Sequence, residues 1–151
     1  MTNPSDRIQP VSDQISVTGQ LSPQQIEQLS QQGFQSVMNL RSYQEEGADE
    51  QDRQRIESGG LSYVNLPIKP AELTQETVDQ AIQKISALPK PLLIYCGSAM
   101  RATFMALVYL AGEQDLTLEE IRAKGRSLGF EFEDKPAFNQ LMEAYAKKQD
   151  Q

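Results

Sequence analysis

Cys96 and Arg101 are separated by Gly97, Ser98, Ala99 and Met100, and the cysteine is the only one in the chain. A guanidinium beside a thiol favours the thiolate, the form that acts as a nucleophile. Arginine also offers a planar fork of N–H donors suited to a tetrahedral oxyanion. The four intervening residues are small or flexible enough to curl, so their backbone N–H groups could converge on one anion, reinforced by the dipole of a helix behind them. The bland alternative is a small buried thiol at a strand end, with Arg101 capping a helix or pairing with an acid. The setting decides between them. An apolar run, Leu92 to Tyr95, stops at Cys96, and "RATFMALVYLAG" (101–112) is apolar nearly all round, as a helix buried in a domain would be. In open parallel sheets ligands collect beyond the carboxyl ends of strands, where loops enter helices, and Cys96 stands at such a place.

The elements that must position this loop are legible in outline. "QISVTGQ" (14–20), "SVMNL" (36–40), "LSYVNLPI" (61–68) and "PLLIY" (91–95) read as strands. Between them, Ser22 caps and Pro23 opens a helix that Gly33 stops, and Thr74 caps one carrying Val78, Ile82 and Ile85 at helical spacing. Residues 41–60 form the most polar stretch, expected to hold a loop and a solvated helix of about ten residues. Beyond 112, Thr117 with Glu120 makes a capping box, and Phe138, Leu141, Met142 and Tyr145 form a stripe expected to pack into the core. The alternation of short apolar strands with crossover helices predicts an α/β fold, a mainly parallel central sheet covered by helices on both faces. One domain is expected over 14–149, after a flexible N-terminus at 1–13.

Composition excludes other chemistries. The 151 residues contain no histidine and one cysteine, so histidine-containing triads and typical zinc sites are ruled out and no metal or other cofactor is called for. A net charge of -7 argues against capture of nucleic acid, which needs clustered Lys and Arg, so any anion site must be local. No stretch approaches the ~20 apolar residues of a membrane helix, and the polar start lacks the apolar core of a secretory signal. A cytoplasmic protein without membrane or nucleic-acid partners is expected.

With these residues in place, the chain resembles the bacterial family of protein tyrosine phosphatase-like domains, found alone or fused to beta-lactamase-like hydrolases and also described as sulfurtransferase-like. The resemblance covers about residues 14–112 and rests on Gly19, Gln20, Gly33, Phe34, Asn39, Arg41 and Glu45, followed by "LSYVNLPI" and "PLLIYCGSAMRAT". Family members usually carry a loop like Cys-Arg-Ser-Gly-Thr-Arg-Ser. Cys96, Ser98 and Arg101 match it, whereas Gly97, Ala99, Met100 and Ala102 depart from it. Ala99 puts a Cβ where the family's glycine permits a positive φ, and Ala102 removes a hydroxyl, although Thr103 follows directly.

The resemblance implies a phosphatase. Cys96 would attack phosphorus, Arg101 and the amides of Gly97, Ser98, Ala99 and Met100 would hold the oxygens, and an acid would protonate the leaving oxygen before the phosphocysteine is hydrolysed. Tyrosine phosphatases carry that acid as an aspartate on the loop after the preceding strand; the corresponding "KPAELT" here offers only Glu72. Glu45 and Glu46 are further candidates for the acid, and Arg41, Glu45 and Thr103 are candidate pocket residues. The substrate would be a phosphorylated small molecule or a phosphoprotein. Two other functions stay open. Rhodanese-type sulfurtransferases place four residues between cysteine and arginine, as this chain does, and would carry a persulfide on Cys96. A non-catalytic module could hold an oxyanion or a phosphorylated ligand in the same loop.

Overall fold

The computed structural model describes residues 7–148. Five strands, β1 (Gln9–Pro10), β2 (Ile15–Thr18), β3 (Ser36–Asn39), β4 (Ser62–Asn65) and β5 (Leu92–Tyr95), form one sheet in the order β1-β2-β5-β3-β4. The last four run parallel, and β1 joins antiparallel to β2. The mainly parallel α/β sheet expected from the sequence is what forms. Its edge reaches further toward the N-terminus than residue 14, because Val11 N–H and Ser12 N–H turn onto Ile15 O and fold Gln9–Pro10 back along β2. Residues 1–6 of the expected flexible start lie outside the described residues.

Six helices cover the sheet: α1 (Pro23–Gln28), α2 (Asp52–Ser58), α3 (Gln75–Ala87), α4 (Met100–Gln114), α5 (Leu118–Ser127) and α6 (Pro136–Tyr145). Local chemistry sets their ends. Ser22 accepts from Gln25 N–H while the Gln25 side chain returns to Ser22 N–H, and Thr117 with Glu120 does the same for α5. Gly33, at φ 95°, supplies the left-handed turn that releases the chain from α1 toward β3.

The pleat sorts β5 between two cores. Leu93 and Tyr95 pack with Leu29 and Ile56 on the side of α1 and α2, whereas Leu92 and Ile94 pack with Val78, Phe104 and Met142 on the side of α3, α4 and α6. A strand buried on both faces can be apolar throughout, which is why "LLIY" does not alternate.

Register then decides what meets at the carboxyl edge. Thr18 and Asn39 both stand level with Tyr95, and Asn65 stands level with Asn39. The chain therefore leaves four parallel strands along one line, and the segments holding Gln20, Cys96, Arg41 and Lys69 emerge side by side. Because β5 is central and Ile94 is fully buried, Ile94→Ala is expected to cost about 2 to 5 kcal/mol in denaturant unfolding; a loss below about 1 kcal/mol would contradict this packing.

Candidate active site

The loop begins on the central strand. Cys96 N–H donates to Thr18 O at 3.3 Å and Gln20 N–H to Gly97 O at 3.3 Å, which prolongs the β2–β5 ladder for one step beyond the strands. At Ala99 the backbone turns left-handed, φ 74°, and α4 starts at Met100. A residue with a Cβ pays about 1 to 2 kcal/mol for that conformation. The sequence comparison with the family's glycine pointed to this position. Ala102 N–H reaches the Cys96 sulfur at 3.4 Å. Among the described residues the amides of Gly97, Ser98, Ala99 and Arg101 find no acceptor, so the loop presents four unpaired donors around the start of the helix.

Arg41 supports the loop from below. It is 6% exposed, and a Cβ added at Gly97 would stand 3.5 Å from its guanidinium carbon. Asn39 orients it by accepting from Arg41 N–H at 2.9 Å, and Asn65 clamps Asn39 O and Arg41 O. The Arg41 guanidinium donates to Gln20 Oε1 at 2.7 Å, Glu46 O at 2.6 Å and Glu45 Oε1 at 3.1 Å. Gln20 in turn donates to Asp52 Oδ2 at 2.8 Å, which also accepts from Tyr95 O–H at 2.9 Å. Arg41, a candidate pocket residue in the sequence, is thus buried and its guanidinium is spent on Gln20, Glu45 and Glu46.

Glu45 joins the two arginines. Its Oε1 accepts from Arg41 Nε and from Arg101 Nη2 at 2.9 Å; its Oε2 accepts from Ser42 N–H at 2.9 Å and Arg101 Nη1 at 3.0 Å. Hydrogen bonds from Arg101 lower the Glu45 pKa to about 2 from its ordinary 4.5, with the Ser42 amide and Arg41 adding to the effect and burial opposing it. Arg101 is held above its ordinary pKa, first by these bonds to Glu45, with burial opposing and Cys96 contributing.

The donors of Arg101 are only partly used. A guanidinium has five N–H bonds. Two on Nη1 go to Glu45 and to Ile68 O at 2.9 Å, with Leu40 O a longer contact at 3.4 Å, and one on Nη2 goes to Glu45. Among the described residues Nε–H and the second Nη2–H have no oxygen acceptor, and beside Cys96 they make the side-on fork that fits two oxygens of one oxyanion.

A cleft of about 530 Å³ opens over this loop, lined by Ser42, Gln44, Glu45, Lys69, Pro70, Ser98, Met100, Arg101 and Phe138. The structure thus brings together Arg101, Ser98, Met100 and Glu45 from the sequence-derived set. Cys96 and Ala99 are fully buried under the loop, and Thr103 is buried on α4 with its hydroxyl unpaired. Glu72 is not brought to the cleft. Pro70–Glu72 form a single 3-10 turn closed by Glu72 N–H on Lys69 O, which sets Lys69 and Pro70 against the opening and leaves Glu72 exposed.

Several contributors escaped sequence reasoning, Ser42, Gln44 and Pro70 in the lining among them. Lys69 and Phe138 line the cleft, although Phe138 was expected only in the core stripe. Asp52, in a stretch expected to be solvated, is 1% exposed. The four-residue spacing from Asp52 to Ile56, both buried on α2, is the signal that would have shown one face of that helix turned inward. No helix is long and apolar enough to cross a membrane, and no group of three or more His, Cys, Asp or Glu could hold a metal ion, both among the described residues.

Comparison with known proteins adds a family and a fold. The family model described as "Beta-lactamase hydrolase-like protein, phosphatase-like domain" matches residues 7–112. A beta-lactamase hydrolase-like protein of Xylella fastidiosa (strain 9a5c) is 21% identical over 128 residues, 83% of this chain and 30% of that protein. The chain therefore spans about a third of the length of such curated relatives. Among solved structures, a DUF442 protein of Shewanella putrefaciens CN-32 superimposes with a TM-score of 0.77 at 21% identity, covering 92% of this chain and 93% of that one. TpbA of P. aeruginosa, solved in complex with pTyr, gives 0.72 at 12% identity over 95% and 92% of the two chains. The catalytic core of the PP-IP phosphatase SIW14 from S. cerevisiae gives 0.75 at 16% over 94% and 86%. At these identities the likenesses establish the fold.

The depressed pKa of Glu45 has a directional consequence. Its pairing stabilises the protein above pH about 4.5 and is lost as pH falls through about 2. Denaturant unfolding of wild type and Glu45→Gln should therefore show a stability gap that is constant near neutrality and closes between those values. A gap that persists unchanged at pH 2 would contradict the pairing.

Proposed function

The chain belongs to the phosphatase-like domain family of beta-lactamase hydrolase-like proteins, and on that premise we propose that it is a cysteine-dependent phosphatase that hydrolyses a phosphate monoester through a phosphocysteine on Cys96. The observation that carries this reading is the set of unsatisfied donors at the loop: four backbone amides and the side-on fork of Arg101, next to the one thiol of the chain. Such a ring stabilises the equatorial oxygens of a transferring phosphoryl group, where charge builds in the transition state. The pTyr in the TpbA complex and the PP-IP phosphatase activity named for SIW14 are in keeping with a phosphorylated substrate.

Cys96 is fully buried, and its sulfur lies against the start of α4, where Ala102 N–H reaches it. The sulfur of Cys96 attacks phosphorus as the bond to the leaving oxygen breaks. Water cleaves the phosphorus–sulfur bond in a second step, releasing inorganic phosphate, returning the thiolate and giving one proton to solvent.

The purified protein should hydrolyse 4-nitrophenyl phosphate, be inhibited by vanadate and fall to the buffer rate on Cys96→Ser. Arg101→Lys, which keeps the charge but loses the fork, should lower kcat/KM by about 100- to 1000-fold. Turnover of wild type no faster than Cys96→Ser would overturn the phosphatase reading. Thiocyanate formed from thiosulfate and cyanide, with a persulfide on Cys96, would instead assign the site to sulfur transfer.

A further inference from the structure

Resting on the Cys96 phosphatase reading, with an anhydride in place of the monoester, we infer that the preferred substrate of this site is a phosphoanhydride, a phosphoryl group whose leaving group is itself a phosphate, and that Lys69 binds that leaving phosphate. The first ground is the lack of a proton to give. Glu45 is the one carboxylate lining the cleft, and each of its oxygens already accepts two N–H bonds, from Arg41, Arg101 and Ser42. It is fixed as an acceptor and cannot also be a donor. Glu72 is exposed and outside the lining. An alkyl ester must expel an alkoxide whose parent acid is about as weak as water, pKa roughly 15.7, and so depends on a positioned acid. A departing phosphate, with a second pKa of about 6, leaves as a stable anion at neutral pH with no proton supplied.

The second ground is a cation at the right place. Ile68 O receives the Arg101 Nη1 donor at 2.9 Å, so the next residue, Lys69, is carried on backbone tied directly to the phosphate-binding arginine. Lys69 lines the cleft, is exposed and makes no ion pair among the described residues. In a chain of net charge -7, two cations, Arg101 and Lys69, line the cleft with a single carboxylate, Glu45, which is bonded to Arg101 and to the buried Arg41. One anion on the Arg101 fork leaves a positive group beside it unused, and a second phosphate joined to the first would meet it. In the transfer, the Cys96 sulfur bonds to the terminal phosphorus, the bridging oxygen keeps the electron pair of the broken bond, and Lys69 faces the charge that develops on the departing group.

The test compares kcat/KM for inorganic pyrophosphate, phosphoserine and 4-nitrophenyl phosphate in wild type, Lys69→Ala and Lys69→Arg. Pyrophosphate should exceed phosphoserine by at least about 100-fold, the usual contribution of the general acid that an alkyl ester would lack here. Lys69→Ala should reduce the ratio of pyrophosphate to 4-nitrophenyl phosphate turnover by about tenfold, the effect expected of one charge-assisted contact, and Lys69→Arg should restore it. Comparable rates on phosphoserine and pyrophosphate, or a ratio untouched by Lys69→Ala, would overturn the inference while leaving the phosphatase reading standing. Absence of any Cys96-dependent turnover, on 4-nitrophenyl phosphate as on the others, would overturn both.

Discussion

The pairing of Glu45 with Arg101 is the constraint on which the site depends. An arginine at the first turn of a helix can rotate about several bonds, and each freely rotating bond costs binding energy when a ligand fixes it. Here two carboxylate oxygens and the carbonyl of Ile68 hold the guanidinium before any ligand arrives. What they leave over is as important as what they hold, because the two spare N–H groups are neighbours along one edge of the planar guanidinium. Glu45 thus aims the arginine while neutralising only part of its capacity to bind.

That aim is passed down through buried polar groups rather than through hydrophobic contacts. Glu45 is held by Arg41, Arg41 by Gln20, and Gln20 by Asp52, which also accepts from Tyr95, the residue before Cys96. The chain of bonds leaves the cysteine loop and returns to it, so Cys96 and Arg101 share one framework. Buried charges are tolerated at this depth only because each is matched: Arg41 has three acceptors, and Asp52 has Tyr95, Gln20 and Arg55 as donors. Removing one member would strand the next, which makes the network a means of fixing geometry more than a source of stability.

Much of this was legible from residue types in order. The strands, the buried helix 100–114 and the place of Cys96 after the central strand follow from apolar runs and caps, signals that act within a few residues. Arg41 and Glu45 were visible as a pair with a family pattern, but whether Arg41 faced the cleft or the interior turned on contacts with Gln20 and Glu46 that no local rule encodes. Asp52 was missed because a charged residue in a polar stretch is usually solvated, and two of the donors that satisfy it, Tyr95 on β5 and Gln20 in the loop after β2, are distant in sequence. Glu72 was placed by loop order alone, and a 3-10 turn a few residues long was enough to put Lys69 at the cleft instead. Phe138 reached the cleft from a helix beyond the family's matched span, a contact set by how α6 packs on α4.

The claim beneath all of this is that the spare fork of Arg101 receives an oxyanion. It is tested most directly by nuclear magnetic resonance of protein carrying 15N-labelled arginine, with the Arg101 Nε–H signal assigned by its loss in Arg101→Lys, during titration with tungstate. The account predicts a saturable shift of the Arg101 Nε–H resonance, with the Arg41 Nε–H signal, already bonded to Glu45, moving far less. An Arg101 signal that stays in place while tungstate reaches millimolar concentration, roughly the range of a weak single-site ligand, would contradict it.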